Sequence, residues 1–283
     1  MADSVLYVGD IRVTSLSDGS VQFDPRLMFP DTPLEHWSHY YEMFPECFSG
    51  QHFLMNLGVF VMGSGGKNVI ADTGFGPHGK MLGSATAAEL MDDFVRKGVK
   101  TDEIDTVFMS HLHADHVGWN IDPATKDVPV FPNARYTVHR ADWDHFTVPY
   151  DDSEFGMEPI ERSVIPLEEI GVLDLMDGET ELAPGVTAVP TPGHTPGHMA
   201  LMLASGKERA LFVGDILINP MHATDTDLPF ALDTDPAAAM KLRHEVLDRA
   251  EREGITVLGS HLSPPGWGTM VRWEGRRYWR GFG

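Results

Sequence analysis

The chain has a single cysteine, Cys47, among 283 residues. No intrachain disulfide can form, and thiolate-rich metal sites are excluded. No apolar run approaches the roughly 20 residues needed to span a bilayer. The segment Met1-Ala2-Asp3-Ser4-Val5-Leu6 carries no basic region followed by an apolar one, so it does not read as a signal peptide. These absences predict a cytoplasmic protein with no membrane partner. Positive charge is scarce too: 21 Lys and Arg face 42 Asp and Glu, for a formal net charge of −21. Nucleic acids are held by clustered cations, so no nucleic-acid partner is expected. No block of like charges is long enough to read as a tail. What is present is ordinary globular composition, 42% hydrophobic, in a length that builds one large domain or two small ones.

Short apolar runs alternate with turn signals. Residues 5–8 and 11–16 read as a hairpin joined near Gly9-Asp10. Residues 20–50 are rich in proline and aromatics (Phe23, Phe29, Trp37, Tyr40, Tyr41, Phe44, Phe48) without a clean period. They read as an irregular arm or insertion, either packed on the surface, lying near a substrate pocket as a lid, or serving as a homodimer arm. Residues 53–62 and 67–71 are strand-like and lead into Asp72-Thr73-Gly74. A helix is expected over 84–97, capped by Ser84, striped by Leu90, Met91, Phe94 and Val95, and stopped by Gly98. Further strands are read at 105–109, 134–138, 186–190, 210–213 and 255–258. The clearest helix is 236–253, with Asp235 as N-cap, Pro236 at its first position, Gly254 as terminator, and Ala239, Leu242, Val246 and Ala250 as its buried face.

The chemistry concentrates in Ser110-His111-Leu112-His113-Ala114-Asp115-His116. His194, in Gly193-His194-Thr195-Pro196-Gly197-His198, Asp215, in Val213-Gly214-Asp215, and His261, in Gly259-Ser260-His261, follow at wide spacing near strand ends. Strand-end loops let a rigid scaffold hold side chains in a fixed constellation. Five imidazoles and two carboxylates are enough ligands for two ions. His111, His113 and His194 would form one site and Asp115, His116 and His261 the other, with Asp215 bridging them. This donor set suits two divalent ions, zinc first, with manganese, iron or cobalt also compatible. Two such ions about 3.5–4 Å apart can share a hydroxide and polarise a substrate oxygen. Asp115 is also placed to carry a proton towards the leaving group. His36, His39, His52, His78, His139, His145, His198, His222 and His244 read as ordinary packing or surface histidines. Trp119 and Trp267, next to the motifs, are candidates for the pocket mouth, and His222 for contact with substrate. Plain packing accounts for the two rings equally well.

His-Leu-His-Ala-Asp-His at 111–116, Gly-His-Thr-Pro-Gly-His at 193–198, Gly-Asp at 214–215 and His261 resemble the motifs of the metallo-β-lactamase superfamily. The strand leading into Asp72-Thr73-Gly74 is similar to the first motif of that family. The resemblance runs from about residue 50 to about residue 270. It implies an α+β fold, the αββα sandwich, as a single domain over 1–283 with a dinuclear site at one edge. Residues 214–222 and 259–268 look like the branch holding methyl parathion hydrolase and N-acyl homoserine lactonases.

That branch implies a metal-dependent hydrolase acting on a small-molecule lactone or carboxylic ester through a metal-bridging hydroxide. Many lactonases of this type carry a Tyr three residues after the bridging Asp, where this chain has Ile218. The residue that stabilises the oxyanion is thereby left open. Phosphotriester hydrolysis, a mononuclear-iron persulfide dioxygenase and a glyoxalase II-like thioesterase are the alternatives the ligand set admits. A protein that keeps the metal for structure alone is the non-enzymatic one. β-Lactamases with a Cys ligand at the position of Asp215 are set aside, because Cys47 lies far from it in the chain.

Overall fold

The structure, a computed structural model, describes residues 4–77, 88–148 and 158–282. Apolar alternation over the first residues produces strand β1 (Val5–Val8) and, after the left-handed turn at Gly9, the long strand β2 (Ile11–Phe23). They are followed by β3 (Phe48–Ser49), β4 (His52–Ser64), β5 (Lys67–Ala71), β6 (Thr106–Phe108), β7 (Arg135–His139) and β8 (Leu173–Met176). Seven of these run in the order β1-β2-β4-β5-β6-β7-β8, and β3 pairs with β4. The second sheet contains β9 (Thr180–Ala183), β10 (Val186–Pro190), β11 (Met199–Ser205), β12 (Glu208–Phe212), β13 (Thr256–Leu258), β14 (Trp267–Trp273) and β15 (Arg276–Gly281). Its order is β15-β14-β13-β12-β11-β10-β9.

The inner faces of both sheets pack on each other through residues such as Val13, Phe60, Phe108, Leu201, Phe212 and Leu258. The outer face of the first sheet is covered by helices Leu90–Lys97, Glu158–Ser163 and Ile165–Glu169, through Leu90, Phe94, Ile160 and Leu167. Helix Pro236–Glu253 covers the second, with Leu247 and Ala250 packed near Leu211 and Val257. These are the layers of the expected αββα sandwich.

Several sequence expectations change in detail. The helix expected from residue 84 is described as Leu90–Lys97. Its proposed cap Ser84, like His78, lies outside the described residues. Gly98 does stop it in the left-handed region, but Val95 sits on the row facing water and is 82% exposed. Helix Pro236–Glu253 has the expected bounds, with Asp235 accepting from the Ala238 N–H and Gly254 left-handed at its end. Its inward row, however, is Ala239, Arg243, Leu247 and Ala250, while Leu242 and Val246 are only half-buried. The irregular arm begins with the continuation of β2 and then forms short helical turns. Phe29, Trp37, Tyr40 and Phe44 are buried there, with the Trp37 ring 4.9 Å from that of Phe53. Packing accounts for most of its aromatics. Among the described residues no helix is long and apolar enough to cross a membrane.

Candidate metal centre

β5, β6 and β7 are parallel neighbours, as are β12 and β13, so their carboxyl ends open on shared edges. Asp72 leaves the end of β5, the His111–His116 run leaves β6, Asp215 leaves β12 and His261 leaves β13. His194 sits in the turn between β10 and β11. Strand geometry thus brings all seven predicted residues into one cluster. Their ligand atoms fall into two groups, His111, His113, His194 and Asp215 in one, Asp115, His116 and His261 in the other, each within 4.8 Å.

Asp215 belongs to both. One of its carboxylate oxygens lies 3.2 Å from His116 Nε2 and 3.2 Å from His261 Nε2. The other lies 3.3 Å from His194 Nε2 and 3.7 Å from His111 Nε2. Asp115 is more open, with a side chain 19% exposed and one oxygen 3.5 Å from His261 Nε2 and 3.7 Å from His116 Nε2.

The outward nitrogens fix which ring atoms face inward. His261 Nδ1 donates to the Asn56 carbonyl at 2.9 Å, since a carbonyl can only accept. His116 Nδ1 faces Asp72 at 2.8 Å and His194 Nδ1 faces Asp233 at 2.9 Å. Ser110 gives its hydroxyl proton to Asp72 and therefore accepts from His111 Nδ1 at 3.0 Å. All four Nε2 lone pairs then point into the cluster, joined by Nδ1 of His113. His113 Nδ1 lies 3.0 Å from Nε2 of both His111 and His194. Lone pairs that close repel unless a proton or a metal ion sits between them. His116 Nε2 and one oxygen of Asp215 are buried without any hydrogen bond. An imidazole and carboxylate set with inward lone pairs and outward partners fits two divalent ions.

Without a cation the cluster is electrostatically divided. Burial opposes the ionisation of Asp215, yet His116, His261 and His111 around it hold its carboxyl well below the usual range. Burial and neighbouring imidazoles depress His111 and His113, while carboxylates overcome burial at His116 and His261 and raise them.

Several positioning residues stand behind the candidate ligands. Asp72, with φ of 59°, is strained in the left-handed region and accepts from the Ser110 N–H, the Ser110 hydroxyl and His116. His198 corrects the packing assignment made from sequence: its Nε2 accepts from the Asp215 N–H at 3.1 Å and its Nδ1 meets the Thr191 hydroxyl at 2.8 Å. Asp142 is buried and accepts from the Thr195 hydroxyl and the Gly197 N–H. Burial pushes its carboxyl up to about 6 despite these bonds. The repeated Gly-His-Thr-Pro-Gly-His pattern signalled His198, and the strand before Asp72-Thr73-Gly74 signalled Asp72. Nothing local signalled Asn56, Asp142 or Asp233.

The cluster opens on a cavity of about 420 Å³, with His113, Asp115, Asp215 and His261 at its base. Phe23, Leu27, Met28, Met55, Phe75, Ile218, Phe230 and Leu232 form its walls. The start of the arm thus does line the pocket, and Leu27 is 69% exposed at its rim. The three candidate contact residues are not among these walls. Trp119 turns its indole N–H to Asp18 at 2.9 Å and packs with the core under the first sheet. Trp267 is buried between the sheets beside Phe60, because β14 points it inward. His222 is neither a surface residue nor a pocket residue. It is fully buried against Phe29, and burial, with the Arg243 cation nearby, keeps it neutral.

A sequence profile described as the metallo-beta-lactamase superfamily matches residues 58–261. An N-acyl homoserine lactonase of Bacillus cereus is 26% identical over 136 residues, 48% of this chain and 47% of that protein. The chain spans about half the length of the curated relatives it matches first. The crystal structure of hydrolase AbOPH in the beta lactamase superfamily superposes with a TM-score of 0.85 at 22% identity, covering 98% of this chain and 96% of the other. AidC, a dizinc quorum-quenching lactonase in complex with a product, superposes with a TM-score of 0.82 at 21% identity, with the same coverages of 98% and 96%. At these identities the two structures establish the fold.

Proposed function

The chain belongs to the metallo-β-lactamase superfamily, and on that premise we propose that it is a two-metal hydrolase opening lactones with an apolar acyl substituent. The observation that carries this reading is the convergence of two donor groups on Asp215 at the base of an apolar cavity. His111, His113 and His194 would hold one ion, and Asp115, His116 and His261 the other, with one carboxylate oxygen of Asp215 turned to each. Zinc is the metal this donor set favours. When bound, such a pair supplies water activated near neutral pH and Lewis-acid polarisation of an ester oxygen.

The chain's own groups do the rest. The outward hydrogen bonds to Ser110, Asp72, Asp233 and Asn56 keep the imidazoles aligned before substrate arrives. Asp115, partly open to the cavity, is placed to carry a proton towards the departing alkoxide oxygen. Phe23, Leu27, Met28, Phe230 and Leu232 exclude water and favour an apolar chain in the cavity. The name of the Bacillus cereus relative, an N-acyl homoserine lactonase, combines such a chain with a lactone ring.

Ile218 favours a second reading. It lines the cavity and provides no hydroxyl for a carbonyl oxyanion, which suits phosphotriesters as well as esters. Comparing kcat/KM of the zinc-loaded protein for N-acyl homoserine lactones of short and long acyl chains, aryl esters and aryl phosphotriesters separates the two. The lactone reading expects the long-chain lactones to lead. Phosphotriesters leading, with lactones near background, would overturn it.

A further inference from the structure

Arg243 lies in the middle of helix Pro236–Glu253 on its core-facing row, with a side chain only 1% exposed. An apolar residue is the ordinary occupant of such a row. The donors of this arginine run to one neighbouring segment, between Asp215 and His194's partner Asp233. Nε donates to the Ile216 carbonyl at 2.9 Å, the carbonyl beside Asp215. Nη1 donates to the Thr226 and Leu228 carbonyls at 3.1 and 2.9 Å. Nη2 lies 3.5 Å from one oxygen of Asp233, whose other oxygen meets His194 Nδ1 at 2.9 Å.

The same stretch also grips the His194 loop by its backbone. The Thr234 N–H donates to the His194 carbonyl and the Asp235 N–H to the Gly193 carbonyl, both at 2.9 Å. A Cβ on Gly193 would stand 2.6 Å from the backbone nitrogen of Ala239, so helix and loop are in direct contact. A planar guanidinium fork can hold a carboxylate and carbonyls at once, which the point charge of a lysine cannot reproduce.

We propose that Arg243 and Asp233 are a positioning pair for the metal centre, Asp233 aligning His194 while Arg243 fixes Asp233 and the Ile216 carbonyl next to Asp215. The pair rests on the two-metal reading above. It acts through His194 and Asp215 and touches no substrate.

Zinc titration of the purified full-length chain against a chromophoric chelator tests it, together with thermal melts of the metal-free forms. Asp233→Asn keeps the shape of the side chain and removes its charge. It should weaken one of two zinc equivalents by about 10–100-fold, the range for partners behind a metal ligand, and spare the other. Arg243→Met should act in the same direction, Arg243→Lys should recover part of the loss, and the double variant should lose little more than the worse single one, because both act on one element. If Arg243→Met does not fold, Asp233→Asn decides alone. Wild-type affinity for both equivalents in Asp233→Asn overturns the pair, as does a loss confined to metal-free stability. A wild-type chain that binds fewer than two equivalents instead overturns the two-metal reading, and the pair falls with it.

Discussion

A buried imidazole stabilises a fold in one pH window when it gains a proton there and in another when it loses one, and the cluster contains both kinds. In the metal-free protein burial opposes the charging of His194, but hydrogen bonds to Asp215 and Asp233 outweigh it and lift its pKa from 6.5 to about 9. His116 and His261 move the same way, whereas His111 and His113 move down. A raised histidine contributes stability that is complete below its unfolded value of 6.5 and lost as pH rises through its folded value. A depressed one contributes above 6.5 and loses its contribution as pH falls. The metal-free protein should therefore melt highest near pH 6.5 and lose Tm as pH rises to about 9. Metal binding requires neutral imidazoles, so the zinc-loaded protein should not share that alkaline loss. Melts with chelator and with zinc across this range check it, and a metal-free Tm that stays flat contradicts it.

At the scale of elements, the centre depends on loops that interlock by their backbones. The Thr73 N–H donates to the His116 carbonyl and the Gly118 N–H to the Gly74 carbonyl, each at 2.8 Å. A Cβ on Gly118 would stand 2.1 Å from the Phe75 carbonyl. Gly118→Ala must push the loop after β5 away from the helical turn carrying His116. Overpacking of this kind costs about 1–3 kcal/mol, and here it also displaces a candidate ligand. Urea unfolding should show that loss together with weaker zinc binding. Unchanged zinc affinity would show that the interlock does not position His116. Sequence patterns reveal such elements unevenly. The bounds of helix Pro236–Glu253 were legible because Asp235, Pro236 and Gly254 act locally. Its buried face was legible only in part: Ala239 and Ala250 are buried as expected, but an arginine occupies the inward row and leaves Leu242 and Val246 half-buried beside it.

Over the whole molecule, the clustering of the candidate ligands was legible because each follows a strand within a short motif, and strand ends converge in this fold. The contacts that support them were not. Asp72 reaches Ser110 and His116 across 38 and 44 residues, Asp233 reaches His194 across 39, and the Asn56 carbonyl meets His261 across 205. Long-range partners of this kind have no spacing to read. Trp119 and Trp267 take the packing alternative for a related reason: adjacency to a candidate ligand in the chain does not set which face of an element a side chain takes. Two divalent ions would also offset part of a net charge of −21, to which Asp115 and Asp215 contribute within the site.

The most direct test follows lactone opening while zinc is returned, in measured equivalents, to protein stripped by a chelator. Turnover that is absent at zero metal and rises to a plateau at two equivalents per chain is the predicted result. Full turnover in verified metal-free protein, or a plateau already reached at one equivalent of zinc, would contradict a two-metal hydrolase.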